Sequence, residues 1–84
     1  MSFDAALVRE RGVTFAVVIV KGHVVSSDSS RREAITAFGA NFPGVPIVLM
    51  TQDARGRPTY WGRRDIVQFI AKVPVSALPW KRFS

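Results

Sequence analysis

At 84 residues the chain has room for one domain, 1–84, and its 48% apolar share beside 21% charged residues excludes a disordered polyelectrolyte. Cysteine is absent, which excludes a disulfide framework, a thiolate metal site and thiol chemistry. The net charge is +6, and seven cations against Asp53 and Asp65 put +5 of it after Met50, so anionic partners such as RNA, DNA or acidic lipid are favoured.

Ser2, followed by Phe3-Asp4-Ala5-Ala6-Leu7-Val8 and then Gly12, predicts a short helix with a cap at each end. This start has neither a basic region nor a long apolar region of the kind a signal peptide needs, and a cytoplasmic chain is expected. Val13 to Val20 is a β-branched run with little polar alternation, which predicts a central strand covered on both faces. The run is far below the ~20 residues of a spanning helix, so no membrane span is expected.

From Gly22 to Ser30 the chain is polar. Ser30-Arg31-Arg32-Glu33 then reads as a capping box opening a helix with Ala34, Ile35, Ala37 and Phe38 on its apolar face, which stops near Gly39 or Asn41. Val45-Pro46-Ile47-Val48-Leu49-Met50 and Pro58-Thr59-Tyr60-Trp61 flank Asp53-Ala54-Arg55-Gly56, and this predicts an antiparallel hairpin. Arg64 to Val73 predicts a second helix with Ile66, Phe69, Ile70 and Val73 on one face, ended by Pro74. Residues 75–84 carry too much proline for a helix and are expected as an extended tail packed on the domain. The expected architecture is thus a small α/β domain with a mixed three-stranded sheet, in the order α-β-α-β-β-α.

The stretch 45–73 resembles the C-terminal half of the thioredoxin-like fold. The marks are Val45-Pro46 opening a strand, the turn from Asp53 to Gly56, and Gly62 before the last helix. The resemblance implies a ββα packing unit and a cis peptide before Pro46. The family's CxxC is missing, so its redox activity does not carry over, and the chain between Val20 and Val45 is too short for the family's usual second strand and helix.

Catalytic and metal signatures are weak. His23 is the one histidine, and Ser26, Ser27, Asp28, Ser29 and Ser30 beside it form no triad order. Loop serines competing to cap a helix explain them better. Asp28, Asp53 and Asp65 are too scattered to ligate a metal, and no cofactor-binding motif is present, so none is expected.

The arginines carry more information. Both helices open with two arginines and an acid, Arg31-Arg32-Glu33 and Arg63-Arg64-Asp65, although cations oppose the dipole at a helix N-terminus by ~0.3–1 kcal/mol each. One reading leaves these arginines in water, with the acids complementing the dipole. The other makes an anion site. If the first of these helices starts where the Val13 strand ends, His23, Ser29, Ser30, Arg31, Arg32, Arg55 and Arg57 share one sheet edge, and Arg63 and Arg64 lie at the opposite edge.

Trp61, Arg63, Arg64, Trp80, Lys81 and Arg82 are candidate partner contacts, because aromatic rings beside cations can grip a single-stranded nucleic acid. A tail pinned over the core accounts for Trp80 equally well. Three functions stay open: a non-enzymatic domain binding an anionic group or a protein, a basic nucleic-acid-binding protein, and a small enzyme acting on an anionic metabolite. So small a core also leaves dimerisation open, with the Pro58 to Trp61 strand as the pairing edge.

Overall fold

The structure is a computed structural model, and it describes residues 2–10 and 12–84. Strand β1 (Phe3–Glu10) forms a hairpin with β2 (Val13–Ile19), and a 3₁₀ turn over Gly22–Val25 leads into helix α1 (Asp28–Gly39). Strands β3 (Ile47–Gln52) and β4 (Pro58–Trp61) follow, then helix α2 (Arg64–Ile70), a 3₁₀ turn over Val75–Ala77 and strand β5 (Trp80–Phe83). The sheet has five strands in the order β4-β3-β2-β1-β5. Only β2 and β3 are parallel, as the intervening helix requires; every other neighbouring pair is antiparallel.

The three-stranded sheet is corrected here by two added strands, one where a helix was expected and one within the expected extended tail. Residues 3–10 are extended instead of helical, because Gly12 serves a different purpose from a helix cap. Its φ of 79° turns a tight hairpin in which Glu10 lies opposite Val13. Ala5 and Ala6, adjacent in sequence, are both fully buried, which a strand achieves by pointing them to opposite covered faces. The C-terminal tail packs on the domain as strand β5, with Phe83 opposite Phe3 and Trp80 opposite Ala6. The sheet therefore has five strands, and the chain order is β-β-α-β-β-α-β.

The Val13 run is the central strand, buried from Phe15 to Val18. Each face of the sheet has its own core. On one side Ala6, Phe15, Val17, Val48 and Met50 pack under Ile66 and Ile70 of α2 and under Leu78. On the other, Ala5, Ala16, Val18, Ile47 and Leu49 pack under Ala34, Ile35 and Phe38 of α1, with Val25 and Phe42. Burying Ile66 and Ile70 contributes roughly 1.5–3 kcal/mol each, enough to hold a helix of only seven residues that would not form alone.

The β3-β4-α2 unit occupies the stretch that carries the expected ββα order. No cis peptide occurs among the described residues, so the bond before Pro46 is trans. Helix α2 stops at Ile70, one turn short of the predicted Val73. Helix α1 starts earlier than predicted: Ser27 is its N-cap, accepting a hydrogen bond from Ser30 N at 3.1 Å, and Asp28 supplies the acid of the first turn. Arg31 and Arg32 consequently lie about one turn inside α1, and the expected clash with the helix dipole disappears.

Candidate functional site: an arginine-lined groove

The direction of α1 decides which arginines meet. A helix of twelve residues is ~18 Å long and must cross part of the sheet. Its C-terminal end is anchored by an aromatic cluster: Phe38 lies edge-on to Phe3 at 4.9 Å, Phe3 stacks on Phe83 at 5.6 Å, and Phe42 meets Phe83 at 5.1 Å. That cluster sits over β1 and β5. The other end of α1 reaches the start of β3 and the end of β4, where Asp28, Arg31, Arg32 and Ile35 line an open groove of about 500 Å³ with Pro46, Ile47, Trp61, Gly62 and Arg63.

This arrangement corrects the expected grouping. The chain does not enter α1 at the end of β2. It first runs along the sheet face through the 3₁₀ turn, burying Val25, before the helix begins. Arg31 and Arg32 thus lie with Arg63, which had been assigned to the opposite edge, whereas Arg55 and Arg57 are at the far end of the β3-β4 hairpin. The length of β4 separates the two sets by ~13 Å.

Within the groove the three arginines differ. Arg31 is the most enclosed: its Nη1 donates to the Val25 carbonyl at 2.6 Å, and its Nη2 pairs with the Asp28 carboxylate. Arg63 donates from Nε and Nη2 to the two oxygens of Asp65 at 3.1 and 2.7 Å. That fork holds the Asp65 carboxyl below the usual carboxylate range. Arg32 is exposed and makes no ion pair among the described residues. Trp61 is half-buried and, with Pro46 and Ile47, gives the groove an apolar floor. Gly62 lies close against β3, where a Cβ would press on Val48 and the Ile47 carbonyl at 3.1–3.3 Å.

The other candidates have different settings. The hydroxyls of Ser27, Ser29 and Ser30 bond to one another at 3.0 and 3.3 Å in the first turn of α1, and Ser26 Oγ donates to the His23 carbonyl. They serve local backbone structure, as the capping explanation requires. His23 is exposed on the 3₁₀ turn, beside Ser30 and Glu33 and outside the groove. Asp53 closes the β3-β4 turn on itself: its Oδ1 accepts from the Arg55 and Arg57 amides, both at 2.9 Å, and its Oδ2 from Arg57 Nε. These bonds, the Arg57 amide foremost, hold its carboxyl below the ordinary value. Arg57 is thereby committed to the turn, while Arg55 and Arg64 are exposed.

Among the outer partner candidates, Trp80 donates its indole N–H to the Val75 carbonyl at 2.8 Å and packs on the core, the arrangement of a pinned tail. Arg82 is tied to Asp4 at 2.7 Å, and Lys81 is exposed. No group of His, Asp and Glu among the described residues is placed to hold a metal, and no helix there is long and apolar enough to cross a membrane. Sequence reasoning missed that Arg63 and Trp61 belong with Arg31 and Arg32; the length of the polar segment 21–27, which carries the chain away from the end of β2, was the available signal. No family model matches the chain, and no curated protein or solved structure matches it.

Proposed function

We propose that this protein is a small binding module, not an enzyme, that recognises a phosphate-bearing ligand in the groove between α1 and the β4 end of the sheet. The observation that carries the reading is the convergence of Arg31, Arg32 and Arg63 on one groove whose single lining carboxylate, Asp28, is already paired with Arg31. Guanidinium forks match phosphate oxygens bidentately and stay charged at any working pH, so they bind and position but do not exchange protons. Arg31, fixed by the Val25 carbonyl, is preorganised, and Arg32 has its donors free for a ligand. The apolar floor of Trp61, Pro46 and Ile47 suits the organic part of such a ligand.

Calorimetric titration with inorganic pyrophosphate at low salt tests this. A charge-assisted hydrogen bond contributes roughly 1.5–3 kcal/mol, so Arg32→Ala should weaken binding at least about tenfold. Arg55→Ala, at the far end of the hairpin, should leave it unchanged. Equal losses in both variants, or no binding at low salt, would overturn the assignment.

A further inference from the structure

We infer that the groove is one end of a cationic strip crossing the α1 side of the sheet, and that the strip's ligand is single-stranded nucleic acid. The inference rests on the groove reading above and adds residues to it. Side chains directly opposite each other in a sheet point to the same face, and every second residue of a strand shares that face. Ala5 belongs to the α1-side core, which places Leu7 and Arg9 on that side with it. Lys81, opposite Ala5, and Thr14, opposite Arg9, face the same way. Leu7 lies opposite Ala16, and Ala16 opposite Ile47 of the groove floor. Leu7 on β1 is therefore ~10 Å from the groove floor on β3, two strand spacings away, and Arg9 lies two residues further along β1.

Helix α1 does not cover this end of the face. Leu7 is 46% exposed there, and Arg9 and Lys81 are exposed beside it. The carboxylates are elsewhere or already bound. Glu10, opposite Val13, lines a separate cleft with Phe69 on the α2 side, and Glu33 lines another recess with His23 outside the groove. Asp4, Asp28, Asp53 and Asp65 are each ion-paired with an arginine. The strip thus presents Lys81, Arg9 and Arg32, which make no ion pair among the described residues, with Arg63 in its fork with Asp65 at the groove end, and Leu7 and Trp61 supply apolar surface between the charges.

The cations of the strip are spread over β5, β1 and α1, with α1 bounding the exposed part of the face. Such a surface can lay a flexible phosphate backbone along its cations and the bases on the apolar surface between them.

Fluorescence anisotropy with labelled twelve-nucleotide oligo(dT) and oligo(rU) tests the inference. Three phosphate contacts, at Arg9, Lys81 and Arg32, with a salt slope of −0.7 each predict that affinity falls roughly twenty-fold between 50 and 200 mM salt. Arg9→Ala and Lys81→Ala should each lower the slope by about 0.7 and weaken oligonucleotide binding severalfold, with pyrophosphate binding unchanged. Arg9→Gln, which keeps a long side chain, should show the same loss. Arg32→Ala should weaken both probes. Oligonucleotides that bind no tighter than pyrophosphate, or that ignore Arg9 and Lys81, overturn the strip and leave the groove standing. Binding to phosphatidylserine vesicles without oligonucleotide binding overturns it in favour of an acidic membrane surface.

Discussion

Replacing Gly62 with alanine isolates the close contact that shapes the groove. A methyl group at position 62 would lie 3.1 Å from Val48 Cγ2, 3.2 Å from the Ile47 carbonyl oxygen and 3.3 Å from Val48 Cα. Non-bonded carbons prefer ~3.5–4.0 Å, so several tenths of an ångström must be found at two of the three contacts, and the carbonyl contact is tight as well. The neighbours cannot yield easily: Val48 is fully buried, and β3 is hydrogen-bonded to β2 on one side and β4 on the other. Overpacking of this kind costs about 1–3 kcal/mol. Alanine also restricts the unfolded chain, which returns ~0.4–1 kcal/mol. The net expectation is a loss of about 1–2 kcal/mol.

For a domain of this size such a loss lowers Tm by roughly 5–15 °C. Urea unfolding followed by tryptophan fluorescence and thermal unfolding by circular dichroism both measure it. Gly39→Ala is the matched control, at the end of α1 with open space around its Cβ position, and should gain roughly 0.5–1 kcal/mol. If Gly62→Ala proves as stable as the wild type while Gly39→Ala gains, the packing of the β4 end on β3 has been misjudged and the groove floor with it.

Two further outcomes concern polar groups outside the groove. The Tyr60 hydroxyl is enclosed without a hydrogen-bond partner, and burial pushes its phenol above the ordinary value, so Tyr60→Phe should raise stability by about 1 kcal/mol in urea unfolding; a clear loss would mean the hydroxyl is satisfied in solution. Asp53 has its carboxyl held below the usual value of 3.8 in the folded state, so its contribution to stability is present above that pH and disappears as pH falls through the lower folded value. Asp53→Asn should therefore be less stable than the wild type at pH 7, and the two should converge in acid once the pH is below that lowered folded value; a gap that persists there would assign the effect to something other than the charge.

The ββα order of 47–70, the antiparallel hairpin around Asp53 and the central position of the Val13 run were legible in the sequence, because each depends on local signals. Those signals are a β-branched run, turn residues and helical spacing of apolar side chains. Segment 3–10 was not legible, since the same Ser2 and Gly12 can end a helix or flank a strand. The choice was made by the covered surfaces that receive Ala5 and Ala6 on opposite sides. Likewise Trp80 to Phe83 becomes a strand only because β1 offers an open edge for it to pair with.

For the site, composition determined that the protein is basic and lacks thiol chemistry, and the order of residues that it carries arginine pairs at 31–32 and 63–64. Which of these pairs cooperate depended on where α1 begins and which way it runs. Buried Val25 and the contacts of Phe3, Phe38, Phe42 and Phe83 settle that point, all of them between residues distant in sequence. Charge is a property of the chain, whereas the convergence of charges is a property of packing, and only the tertiary structure joins Arg31 and Arg32 to Arg63.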